Sequence, residues 1–164
     1  MKRVIVIAGL AYLCFFVEFI LYNTFGPWGK PELLILLFVF FNLYMGIRYS
    51  IVAALIAALL KEASGGAPLG TYVFVYIVGA YWTTFVSKNL YQPGSRFSRA
   101  VVAFFVVLFC FILEAAVHMR VHEVRLGEMV SYILAPQLIT TMIAATFVFL
   151  LLRDVCVLFD LKKA

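Results

Sequence analysis

The feature that most constrains this chain is the recurrence of apolar runs long enough to cross a lipid bilayer. A spanning helix needs about 20 mostly apolar residues. Five stretches meet or approach that length: 4–22, 33–49, 70–88, 99–118 and 129–152. A sixth stretch, 50–63, is shorter and rich in alanine. With 164 residues, 66% apolar and only 13% charged, the chain has too little interior to hide these side chains from water. Lipid as solvent removes that difficulty, so the expected fold class is an all-α integral membrane protein of one transmembrane domain. No internal repeat or low-complexity segment divides it.

The breaks carry turn-forming residues: Gly26-Pro27-Trp28-Gly29-Lys30-Pro31, Ser64-Gly65-Gly66-Ala67-Pro68 and Gln92-Pro93-Gly94-Ser95. Whether 50–63 spans is a question for the charges, because cytoplasmic loops are enriched in Lys and Arg. With the N-terminus inside and six crossings, Lys2, Arg3, Arg48, Lys88, Arg96, Arg99, Arg153, Lys162 and Lys163 fall inside. Lys30, Lys61, Arg120 and Arg125 fall outside, nine against four. A third segment that dipped and returned alone would put Lys162 and Lys163 outside. Six transmembrane helices with both termini in the cytoplasm are therefore expected. The formal charge of +5 is then topological, and no nucleic-acid partner is expected, since the basic residues form no single-face cluster.

The start, Met1-Lys2-Arg3 before a long apolar run, has the look of a signal peptide. The run is too long and lacks a small-x-small site, so a retained first helix is expected. The third helix carries Ala53, Ala57 and Leu60 in one row with Ala54 and Ala58 beside it. Small residues four apart let backbones approach in lipid, and this predicts a central, lipid-screened position. Cys14, Cys110 and Cys156 lie in apolar runs and read as small fillers, with no disulfide or metal spacing.

Acids in a membrane are costly and thereby candidates for function. Glu18, Glu62 and Glu114 all fall toward the outer side of the six-helix topology. Each could bind a partner there or simply reach the interface. Glu114, His118 and His122 stand at i, i+4 and i+8 of one helix face, but the helix is expected to fray near Met119, and no metal is assigned. His122-Glu123-Val124-Arg125-Leu126 starts like the zinc-protease pattern, yet Leu126 stands where the second histidine must be. No phosphate-binding glycine loop occurs, and no Ser or Cys nucleophile has an evident base. An enzyme, such as a lipid-modifying hydrolase, would have to rest on Glu114 with His118. No enzyme and no cofactor are expected. Tyr22, Trp28, Tyr91 and Tyr132 suit membrane interfaces.

From Pro31 to about Lys88 the chain resembles the rod shape-determining protein MreD family. The likeness rests on Pro31-Glu32-Leu33-Leu34-Ile35-Leu36 opening the second helix and on a small-residue third helix ending in an acid. It rests also on the loop Glu62-Ala63-Ser64-Gly65-Gly66-Ala67-Pro68-Leu69-Gly70, which is similar to the family's acid…Ser-Gly…Pro-Leu-Gly signature. Val78-Gly79-Ala80-Tyr81-Trp82 fits the fourth helix, and Glu114 falls where family members often carry an acid. Glu62 stands where the family usually has Asp, and Ala53 and Ala57 where it has Gly. The resemblance is close over about a third of the chain and otherwise one of length and helix count.

The resemblance implies a non-enzymatic scaffold of the bacterial cell-elongation machinery in the cytoplasmic membrane. It would bind an MreC-like bitopic partner and work beside an MreB-like filament, a RodA-like glycosyltransferase and a class B penicillin-binding protein in lateral peptidoglycan synthesis. The partner-binding or structural motif it implies is Pro31, Glu62, Gly66, Pro68, Leu69, Gly70 and Glu114. The family's bundle is similar to the substrate-binding subunits of energy-coupling-factor vitamin transporters, which supplies the alternative function. Against that alternative, a docking row of small residues is missing from the first helix: Ala8 is followed at i+4 by Tyr12, Gly9 by Leu13 and Ala11 by Phe15.

Overall fold

A computed structural model describes residues 2–26, 30–64, 69–92, 95–122 and 135–158. Six helices occur among them: α1 (Lys2–Phe25), α2 (Leu33–Met45), α3 (Ile47–Ala63), α4 (Thr71–Leu90), α5 (Arg96–His122) and α6 (Ala135–Leu158). Lys2–Phe25, Phe97–Val117 and Ala135–Val155 are long and apolar enough to cross a membrane. The all-helical class is as the sequence indicates. Helix α5 continues to His122, past Met119, where the sequence predicts fraying. The side chains of His118 and His122 lie outside the described residues.

Helix α2 is the centre of the bundle. It is apolar around its whole circumference, and such a helix is stable only when enclosed. Leu33 through Asn42 are all buried, and α2 touches α1, α3, α4, α5 and α6. This corrects the expectation that the alanine-rich helix is central. Helix α3 does use its small residues for packing, burying Ala53, Ala54, Ala57 and Ala58, but its other face leaves Leu55 and Leu59 exposed. The physical reason is breadth: four alanines make one close-packing face, whereas α2 has no polar face to offer.

The second predicted segment, 33–49, is broken at Gly46. There φ is 91° and ψ 175°, a region only glycine enters without strain. The Gly46 N–H donates to the carbonyls of Phe41 and Asn42, both at 3.1 Å, and the chain reverses. Ile47 to Tyr49 therefore belong to α3, not α2. Averaged hydropathy cannot see such a break, because apolar residues flank it on both sides. Ser50 Oγ donates to the Phe38 carbonyl at 2.9 Å, fastening the two arms of this helical hairpin near its turn.

Contacts across the bundle fix the direction of each helix. At one end Arg3 donates to Tyr49 Oη (3.3 Å) and Arg99 to Tyr44 Oη (2.6 Å). At the other, the Leu34 N–H donates to Glu18, Lys61 pairs with Glu32, and the Glu32 N–H donates to Thr141 Oγ1. Successive helices thus alternate in direction, and α1 begins at the same end at which α6 finishes. The first end carries Arg3, Arg48, Lys88, Arg99 and Arg153, and is called the basic end below. The opposite end gathers Glu18, Glu32, Glu62 and Glu114 and is called the acidic end.

Mid-bundle packing is tight where α2, α4 and α5 meet. A Cβ added at Gly79 would stand 2.7 Å from Cys110 Sγ and 3.2 Å from Phe38. The glycine lets three helices close on one another, and Cys110 fills the space as the small apolar residue the sequence suggests. Asn42 on α2 spends its amide N–H groups on the Ala80 carbonyl (3.0 Å) and Thr84 (2.9 Å), so this buried polar side chain is satisfied.

Candidate functional site

The site is built around the N-terminus of α2, where free backbone N–H groups and the helix dipole favour negative charge. Two carboxylates answer. Glu18 reaches from α1, only 2% exposed, and accepts from the Leu34 N–H at 2.9 Å. Glu32, in the loop ahead of α2 and equally buried, holds Lys61 of α3 and lies 3.6 Å from Lys30. Tyr76 of α4 donates to the same Glu32 carboxylate at 3.4 Å. Burial pushes the Glu32 carboxyl up, but the cations of Lys61 and Lys30 outweigh it and hold the group below the ordinary carboxylate range. The Glu32 backbone N–H is taken by Thr141 Oγ1 (3.0 Å), whose own hydroxyl donates to the Gln137 carbonyl (2.6 Å). Five elements are thereby joined at one point.

The Lys61 ammonium also lies over the Tyr72 ring, 5.3 Å from its centre, and the Glu114 carboxylate of α5 is close enough to Tyr72 to interact with it electrostatically. Lys30 sits 5.8 Å from the Tyr22 ring. Between α1, α3 and α4 this arrangement leaves a cavity of about 270 Å³, lined by Phe15, Glu18, Phe19, Tyr22, Lys30, Lys61, Ser64 and Tyr72. Its wall is aromatic on the α1 side and cationic on the other. Such a surface can receive an apolar or aromatic group and an acidic one together.

Glu62 does something different from its neighbour Lys61. Its Oε1 accepts from the backbone N–H of Gly70 (2.8 Å) and of Val73 (3.3 Å). It is the N-terminal cap of α4, supplied by the end of α3. Gly70 has φ 91°, and among the described residues a Cβ there would meet nothing within 4 Å beyond its chain neighbours. Close backbone approach is therefore not its role; the left-handed turn is. Pro31 is buried beside Glu32, and Leu69 is 93% exposed in the loop that Glu62 anchors. Gly66 and Pro68 lie outside the described residues.

Of the acids singled out from sequence, Glu18 and Glu114 come together through Lys61 and Tyr72, while Glu62 stands apart as a cap. Glu32, Lys30 and Lys61 are not among the candidates that the sequence offers. Lys61 carried a signal: it continues the Ala53–Ala57 row one turn on, which buries it with those alanines. Among the described residues no group of three or more His, Cys, Asp or Glu is placed to hold a metal.

An alternating bundle with a polar, ion-paired cluster buried at one end and three long apolar helices defines an integral membrane protein. The sequence model of the rod shape-determining protein MreD matches residues 2–158, and the chain belongs to that family. Its role is thus in determining rod shape, as a structural protein of the inner membrane. No curated protein matches the chain. No solved structure matches it either.

Proposed function

We propose that this protein is a non-enzymatic scaffold that holds a bitopic, MreC-like partner beside the wall-building enzymes. In this reading all six helices cross the membrane, both termini are cytoplasmic, and the acidic end faces outward. The observation that carries the proposal is the cavity at that end. It opens beside Glu18, Lys30, Lys61 and Tyr72, and its floor is tied by hydrogen bonds to α2, α4 and α6. A segment of a single-pass partner leaving the bilayer at this level would find an aromatic wall, two ammonium groups and a rigid base. Pro31 and Glu114 belong to that base. Glu62, Gly70 and exposed Leu69 lie at its rim; Gly66 and Pro68, outside the described residues, belong to the same sequence motif. An MreB-like filament, a RodA-like glycosyltransferase and a class B penicillin-binding protein would be reached through the partner.

The test is recovery of co-expressed MreC-like protein with tagged chain from mild detergent. Tyr72→Ala and Lys30→Glu are expected to reduce recovery at least several-fold, and Glu62→Ala and Gly70→Leu to do so more than any change at His122. Unchanged recovery with correctly folded Tyr72→Ala and Lys30→Glu would remove the cavity from the interface. The cavity also favours a second reading, a transporter subunit that binds a small vitamin-like ligand. Recovery of a membrane coupling protein with two ATPases, in place of the bitopic protein, would establish it. The exposed Tyr12 and Leu13 on α1 stand where that docking would need small residues.

A further inference from the structure

At the basic end, away from the cavity just described, α5 and α6 leave a groove of about 160 Å³. It is lined by Arg99 and Ala100 of α5 and by Met142, Ala145, Thr146, Phe149 and Leu150 of α6. The α6 residues run over about two turns, roughly 12 Å of helix, the length of a good part of an acyl chain. The outer faces of both helices are apolar and exposed, with Phe104, Phe105, Ile139, Ile143, Phe147 and Leu151 on them. The groove therefore opens onto the lipid-facing surface of the bundle.

Its one charged wall is Arg99. The guanidinium is fixed by Tyr44 Oη at 2.6 Å and by the Ser95 carbonyl at 3.4 Å, and Tyr44 is itself stacked on Phe40, 4.3 Å between ring centres. A planar fork held in this way keeps donors to spare and suits a phosphodiester better than a mobile lysine would. Arg153 nearby is already paired with Asp154 at 3.1 Å. We infer that the groove between α5 and α6 is a binding site for one anionic phospholipid, its acyl chain along Met142–Leu150 and its phosphate on Arg99. The site requires only that α5 and α6 cross the bilayer and is independent of any partner at the acidic end.

The experiment is native mass spectrometry of the full chain, stripped of lipid and returned to an equimolar mixture of phosphatidylglycerol and phosphatidylcholine with the same chains. The wild type is expected to retain the anionic lipid several-fold over the zwitterionic one. Arg99→Gln is expected to bring that ratio close to one. Thr146→Phe, which fills the groove from an exposed position, is expected to lower retention of both lipids. Arg153→Gln, a basic residue at the same end but outside the groove, is expected to leave the ratio unchanged. Equal retention of the two lipids by the wild type would overturn the site, and so would an equal loss in Arg153→Gln. Tight binding of inorganic phosphate alone would overturn the part assigned to the acyl chain. A dimer that Thr146→Phe abolishes would give the groove to a second copy of the chain instead.

Discussion

At the scale of single residues, the bundle places its largest electrostatic stake on Lys61 and Glu32. Neither is exposed beyond a few per cent, so each leans on the other, with Lys30 at 3.6 Å the further cation of Glu32. Removing one member of a buried pair costs about 3–5 kcal/mol, because the survivor is left charged and dry, whereas replacing both is often close to neutral. Lys61→Met is therefore expected to lower stability by about that amount, read from the midpoint of denaturant titration in detergent micelles. Lys61→Met with Glu32→Gln is expected to recover most of the loss. If the double variant is as unstable as the single one, Lys61 matters for packing along the alanine row and the ion pair does not. Glu18 and Glu114 were legible in the sequence because an acid inside an apolar run is costly and stands out. Lys61 and Glu32 were not, because each sits where a segment ends, and a charge at the end of a hydrophobic run reads as a boundary marker. Only the hairpin geometry brings the two ends together.

At the scale of elements, two glycines with the same φ of about 91° separate two kinds of turn. Gly70 has ψ −13°, the left-handed helical region, while Gly46 has ψ 175°. A side chain can enter the first region at a cost of roughly 1–2 kcal/mol, and Asn enters it more readily. The second is essentially closed to any side chain. At neither position would a Cβ meet a described residue within 4 Å beyond its chain neighbours, so substitution reads mainly the backbone strain. Gly46→Ala is expected to destabilise more than Gly70→Ala, and Asn to rescue at 70 but not at 46, all read as thermal midpoints in one detergent. Equal effects at the two positions would show that α2 and α3 do not turn at Gly46 as described. The helices themselves were largely legible from hydropathy, since a run of apolar residues needs no further information to be a helix in lipid. The α2–α3 boundary was not, because Gly46 is one residue between two apolar stretches and its positive φ leaves no trace in composition. The cap that Glu62 provides was equally hidden: it joins the end of one helix to the start of the next.

At the scale of the whole molecule, the pairing of α2 with α3 changes the argument about topology. If the third segment alone dipped into the membrane, the charge count would put Lys162 and Lys163 on the wrong side. If the α2–α3 hairpin dips as a unit, the parity of crossings is unaltered, and the distribution of Lys and Arg in the tails no longer decides. Length makes the question real, for α2 has 13 residues and spans about 20 Å against a hydrocarbon core of about 30 Å. Contact geometry favours a full crossing: Tyr44 and Tyr49 flank the hairpin turn and bond Arg99 and Arg3, which lie at the basic ends of α5 and α1. Three exposed positions separate the arrangements when each carries the only cysteine, with Cys14, Cys110 and Cys156 replaced by alanine. Leu69→Cys is expected to react with a membrane-impermeant maleimide on intact spheroplasts. Lys88→Cys is expected to react only after the membrane is opened. Arg48→Cys, at the turn, is expected to behave like Lys88→Cys if the hairpin crosses, and to be shielded before and after opening if it dips. Labelling of Lys88→Cys on intact spheroplasts with Leu69→Cys protected would reverse the orientation of the whole bundle. The cavity would then face the cytoplasm, beyond the reach of a partner segment on the outer side, and the proposed scaffold contact would fall with it.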